Sequence, residues 1–137
     1  MLINIANNVY YYEVDITSSQ AVQQVANEIR QKHGDPTVLI NNAGIGSARS
    51  ILEEPEDTIR KMFDVNIIAH FVLVKQFLPA MVKKNHGHIV TVASMASFMT
   101  QAQNVDYACT KAAALAFHEG LNQELRYRYN APRVRTT

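Results

Sequence analysis

Val38-Leu39-Ile40-Asn41 is the stretch on which the reading of this chain turns. Three consecutive apolar residues, two of them β-branched, make too short a run for a helix and read as a strand covered on both faces. Working outward, Gly34 and Pro36 close a preceding helix whose Val22, Val25, Ala26 and Ile29 fall at helical spacing. Thr17-Ser18-Ser19-Gln20 offers a capping box for its start, with Thr17 as N-cap and Gln20 reaching back. Before it, Val9 to Val14 is rich in tyrosine and valine and is expected to be a strand. On the other side, a long helical stretch runs from about Pro55 to Lys84, in two pieces, and Asn85, His86 and Gly87 stop it. His88 to Ala93 reads as a strand, and a helix is expected from about Asp106 to Arg128. Pro132 breaks that helix, and Val134-Arg135-Thr136-Thr137 opens one more strand. Strands and helices alternate, which predicts an α/β fold: a parallel sheet with helices on both faces.

The 137 residues allow one domain with a sizeable core. Thirteen lysines and arginines stand against twelve acidic residues, so no surface suited to nucleic acid is expected. The one basic cluster, Arg126, Arg128, Arg133 and Arg135, reads as a solvated helix end. The single cysteine, Cys109, rules out an internal disulfide and fits a reducing, cytoplasmic setting. Membrane or lipid-droplet association of a longer form stays open. No apolar run reaches the roughly 18 residues of a membrane span. The longest candidate, Ile67 to Leu78, is interrupted by His70, Lys75 and Gln76. Met1 to Asn8 lacks the basic start and apolar core of a signal peptide. The histidines show no metal-ligand spacing, and no metal is expected.

Tyr107 and Lys111 are four residues apart at the start of the last helix and so share a face. A lysine ammonium close to a tyrosine hydroxyl favours the phenolate, which suits proton exchange near neutral pH. A surface tyrosine lying on a lysine stem has the same spacing. Ser94 adds to the pattern: it ends the strand from His88, thirteen residues before Tyr107. Ligands of open α/β sheets bind outside the carboxyl ends of strands, where such a hydroxyl could hold a substrate oxygen. Ser97 lies close enough to take that role instead, and Ser94 could simply initiate a turn. Gly44-Ile45-Gly46 looks like the start of a dinucleotide fingerprint, but Arg49 stands where the third glycine should be.

Ser94 followed by Tyr107-Ala108-Cys109-Thr110-Lys111 resembles the active-site signature of the short-chain dehydrogenase/reductase family. Asn41-Asn42-Ala43-Gly44 is similar to that family's Asn-Asn-Ala-Gly motif, Val65-Asn66 to its active-site asparagine, and Asp15 to its adenine-contacting acid. Five motifs occur in order, from about Val9 to the end. The resemblance implies a doubly wound, Rossmann-type parallel sheet and an oxidoreductase that interconverts a secondary or lipophilic alcohol and its carbonyl with NAD or NADP. By that resemblance, Tyr107 exchanges the proton and Lys111 holds the nicotinamide ribose. Ser94 positions the substrate oxygen, and Asn66 anchors a proton relay. Asp15, Asn42, Ala43, Gly44, Tyr107 and Lys111 would contact the cofactor. The resemblance also implies a homo-oligomer through the Asn66 and Tyr107 helices, where Phe71, Phe77, Leu115, Phe117 and Leu121 supply apolar surface. Leu78-Pro79-Ala80-Met81, Gly87-His88-Ile89-Val90 and Glu119-Gly120-Leu121 look closest to the hydroxysteroid and retinol branch.

The family begins with a strand and a glycine-rich phosphate turn, and no such segment precedes Val9 here. The strand that follows it is also missing, and the family's substrate loop lies beyond Thr137. Residues 1–137 are therefore expected to form a single, incomplete domain. The alternative is a catalytically inactive fragment that acts only by associating with other subunits.

Overall fold

The computed structural model describes residues 9–137. The expectation for Met1 to Asn8 lies outside them. Three parallel strands form the sheet in the order β1 (Val38–Asn41), β2 (Gly87–Thr91), β3 (Val134–Thr136). Their register aligns Leu39 with Ile89 and Ile89 with Thr136. Four α-helices complete the fold: α1 (Ser19–His33), α2 (Glu56–Phe63), α3 (Ala69–Lys84) and α4 (Val105–Tyr127). The α/β parallel architecture is the one expected.

Val9 to Val14 forms no strand, against expectation. β-Structure requires a neighbouring backbone to take up its N–H and C=O groups, and no described segment pairs with these residues. The tyrosines lie on α1 instead. Tyr10 stacks against His33 at 4.0 Å between ring centroids, and the Tyr12 hydroxyl is hydrogen-bonded to His33 Nε2 at 2.8 Å.

The cap of α1 also differs. Ser18, not Thr17, is the N-cap, and its Oγ accepts from the Ala21 N–H at 3.3 Å. Thr17 is drawn away because its N–H and hydroxyl both donate to Asp15 Oδ1, at 2.9 and 2.7 Å. Gly34 ends α1 as expected. Its φ of +84° is a conformation that side-chain-bearing residues avoid.

The helical stretch after Pro55 is continuous rather than in two pieces. A π turn, Asp64–Ile68, joins α2 to α3. Asn85, in the left-handed region at φ +44°, stops it. The run Glu56–Lys84 is long and apolar enough to span a membrane by length and composition, which corrects the expectation of no such stretch. Its packing is that of a core helix: Val74, Phe77, Leu78 and Met81 are buried against Ile89 and Val134 of the sheet and Leu121 and Leu125 of α4. Burying several such side chains, at about 1.5–3 kcal/mol each, holds α3 and α4 on the sheet.

All of this cover lies on one side. Leu39 joins the core, while Val38 and Ile40, on the opposite face, are 52% and 58% exposed. β1 is thus covered on one face among the described residues, where cover on two was expected. Helices over both sides of the sheet would need residues outside the described ones.

Gly87 opens β2 under α3. A methyl group added there would lie 2.6–2.8 Å from Met81 Cγ, Sδ and Cβ. Met81 is 1% exposed, so its side chain has little room to move aside. We expect Gly87→Ala to destabilise the fold by about 1–2 kcal/mol through overpacking. A lower urea midpoint at unchanged slope checks this; an unchanged midpoint means that Met81 yields.

Candidate functional site

Candidate residues gather at the carboxyl end of β1 and β2. Lys111 lies on the second turn of α4, and its side chain runs back to the sheet. Its Nζ donates to the Val92 carbonyl at 2.7 Å, just beyond β2, and the residue is only 4% exposed. The same Nζ lies 5.8 Å from the centroid of the Tyr107 ring. Tyr107 is half-buried on the first turn of α4. The pair is therefore not a surface tyrosine on a lysine stem.

Asn66 occupies the middle of the π turn and is fully buried. Its Oδ1 accepts from the Ile45 N–H at 2.8 Å, while its Nδ2 donates to the Ile45 carbonyl at 2.8 Å and to Thr110 Oγ1 at 3.0 Å. Thr110 in turn donates to the Tyr107 carbonyl at 2.7 Å. One amide thus ties the loop after β1 to the helix bearing Tyr107 and Lys111. The widened turn sets Asn66 against both, a use to which π turns are often put. Gly44 completes the cluster: a Cβ there would lie 3.5 Å from Asn66 Oδ1 and 3.7 Å from Lys111 Nζ.

Ser94 and Ser97 are now distinguishable. Ser97 donates its hydroxyl to the Lys111 carbonyl at 2.9 Å. Ser94 caps the short 3-10 turn Met95–Ser97 by accepting from the Ala96 N–H at 3.1 Å, which leaves its own hydroxyl hydrogen to give. Asn42, Ala43 and Gly44 follow β1 directly and are exposed. Asp15 is not drawn into the cluster by any described contact. Its carboxylate is exposed, and hydrogen bonds from the Thr17 hydroxyl and N–H hold it below the usual carboxylate range.

Thr110 and His70 were not singled out from the sequence. Thr110 was legible as a hydroxyl one turn after Tyr107, and His70 as a histidine one turn after Asn66. His70 is 2% exposed, stacks on Phe117 at 5.8 Å, and has no partner for Nδ1 among the described residues. Burial, with a contribution from Lys111, lowers its pKa from 6.5 to about 4. Folded His70 stays neutral where the unfolded chain takes up a proton, so its contribution is intact above pH 6.5 and is lost as pH falls toward about 4. We expect urea midpoints to drop over that window, and His70→Phe to flatten the slope. Equal slopes for both proteins would refute the assignment.

Among the described residues, no group of three or more histidine, cysteine or acidic side chains could hold a metal ion.

Residues 2–134 match the family model described as short chain dehydrogenase. The chain is 60% identical over 130 residues to Dehydrogenase RED3 of Cochliobolus heterostrophus, covering 95% of this chain and 66% of that protein. It is 44% identical over 118 residues to Retinol dehydrogenase 10-B of Danio rerio, covering 86% of this chain and 35% of that one. The solved structure of a metagenomic short-chain oxidoreductase in complex with NADP superposes with a TM-score of 0.84 at 27% identity, over 92% of this chain and 55% of that one. The chain thus spans between about a third and two thirds of the length of these relatives.

Proposed function

This chain belongs to the short-chain dehydrogenase family, and on that premise we propose that the protein interconverts a lipophilic alcohol and its carbonyl with NAD or NADP. The observation that carries the reading is the buried Lys111 Nζ, held on the Val92 carbonyl near the Tyr107 ring, with Gly44 set against both it and the Asn66 amide.

The residues fit a nicotinamide cofactor. Lys111 gives one of three N–H donors to Val92, so two can meet a ribose diol. The exposed run Asn42-Ala43-Gly44 offers backbone close to the same point. When bound, the cofactor supplies or accepts the hydride. Tyr107 moves the proton at the substrate oxygen, and the Ser94 hydroxyl donates to that oxygen and fixes its position. Asn66 holds the loop and the helix in one frame. Asp15 is assigned to the adenine side.

The substrate class rests on exposed apolar side chains. Ile51 and Leu52 lie on the loop after β1, and Met95, Phe98 and Met99 follow β2; all five are at least 64% exposed. Large apolar residues on two loops at the sheet's carboxyl end suit an apolar substrate better than a charged one. The similarity to a protein named as a retinol dehydrogenase supports the same class. Following nicotinamide absorbance with retinol, a hydroxysteroid and a short polar alcohol tests this in the intact protein. Turnover restricted to the polar alcohol would reject the lipophilic class; no turnover of any, with cofactor bound, would reject the enzyme.

We further propose a homodimer through α3 and α4. Phe77 and Leu121 are consumed by the core, but exposed Phe71 and half-buried Phe117 line a cleft of about 620 Å³ between these helices. Light scattering of the intact protein at micromolar concentration should give twice the monomer mass, and a monomer would overturn the assembly.

A further inference from the structure

The segment Gly44-Ile45-Gly46-Ser47, a poor dinucleotide fingerprint, lies against Tyr107. A Cβ at Gly46 would stand 3.3 Å from Tyr107 Cδ2 and 3.7 Å from Cε2, so the loop backbone forms one wall for that ring. Both ends of this wall are fastened. Upstream, Asn66 takes both the N–H and the carbonyl of Ile45 at 2.8 Å. Downstream, the Ser47 hydroxyl lies between two carboxylates, hydrogen-bonded to Glu54 Oε2 and 3.3 Å from Asp106 Oδ2. Asp106 is the residue before Tyr107, and its other oxygen accepts from the Tyr107 N–H at 2.8 Å. Asp106 thus accepts from the Tyr107 N–H and stands within reach of the hydroxyl of the loop that packs on the Tyr107 ring, and that hydroxyl shares its one hydrogen between Asp106 and Glu54.

We propose that Gly46 and Ser47 are positioning residues for Tyr107: Gly46 sets the ring's location by having no side chain, and Ser47 locks that wall to the start of α4 through Asp106 and Glu54. The proposal rests on the proton-transfer reading of Tyr107 given above. A tyrosine that exchanges a proton with a bound alcohol must keep its hydroxyl within hydrogen-bond reach of the substrate oxygen, and a displacement of about 1 Å can cost as much as 10²-fold in rate. The ring has no hydrogen bond of its own among the described residues, so its placement depends on its walls. Gly46 supplies one of them. Lys111 Nζ, 5.8 Å from the ring centroid, lies near another.

The test uses the intact protein with saturating nicotinamide cofactor and the best alcohol from the panel. Ser47→Ala and Gly46→Ala should each lower kcat by about tenfold while KM for the alcohol changes less than about threefold. Ser47→Thr, which keeps the hydroxyl, should restore most of the rate. Ser50→Ala, in the same loop but with its hydroxyl bonded only to Glu53, should behave as the parent protein. Thermal midpoints and cofactor affinity are measured alongside. Parental kcat in both Ser47→Ala and Gly46→Ala overturns the proposal. A lowered midpoint with parental kcat per folded molecule overturns it as well, since the contact is then only structural. If Tyr107→Phe itself remains active, it is the reading of Tyr107 that fails, and the two failures are separable.

Discussion

Tyr107→Phe in the intact protein is expected to lower kcat by about 10²–10⁴-fold, the range that a positioned proton donor contributes. The substitution removes one oxygen and leaves the ring between Gly46 and Lys111. The fold should not change appreciably, because the Tyr107 hydroxyl is bonded to no described residue. The loss should fall on kcat and on kcat/KM together, the pattern of an interaction made at the transition state. Steady-state rates with the preferred alcohol, a cofactor titration and a thermal melt would be compared with the parent protein. A variant retaining more than about a tenth of parental kcat with parental cofactor affinity would show that Tyr107 does not carry the proton.

Asn66→Leu should cost about 3 kcal/mol of stability as well as most of the activity. Leucine keeps the branching of the side chain but is bulkier, and the amide's three hydrogen bonds disappear. The buried Thr110 hydroxyl keeps its bond to the Tyr107 carbonyl but loses the one it accepts, and the Ile45 backbone is released on both sides. Leaving buried polar groups unpaired costs about 1–3 kcal/mol each, and water can reach Ile45, so the total stays near the lower end of the sum. Asn66→Asp keeps the acceptor for the Ile45 N–H but loses both donors and sets a carboxylate oxygen against the Ile45 carbonyl, so it too should lie well below the parent. Urea unfolding of all three checks this. Equal midpoints would mean that the π turn is held by packing alone.

Local chemistry made much of the fold legible. Val22, Val25, Ala26 and Ile29 mark one face of α1, and Gly34 and Asn85 end their helices for reasons internal to a few residues of chain. The α4 bounds fall one residue from those expected, Asp106 to Arg128. The spacing of Tyr107 and Lys111 placed both on one side of that helix, and Ser94 after β2 set a hydroxyl at the same end of the sheet. The apolar run at Val38 announced a strand but not how many of its faces would be covered, because cover comes from residues distant in sequence.

From α1 onward the sequence by itself indicated the order of helices and strands, the helix ends at Gly34 and Asn85, and the residue types of the site, through patterns local to a turn or two of the chain. Tertiary structure alone decided that Ser97 spends its hydroxyl on the Lys111 carbonyl while Ser94 keeps its own. It also decided that Asn66 sits in a widened turn gripping Ile45, that His70 is buried and neutral, and that Ser47 reaches Asp106 across 59 residues. Val9 to Val14 marks the boundary between the two: its composition favours β-structure, but a strand exists only where another backbone accepts its hydrogen bonds, and that partner is set by the fold rather than by the six residues themselves.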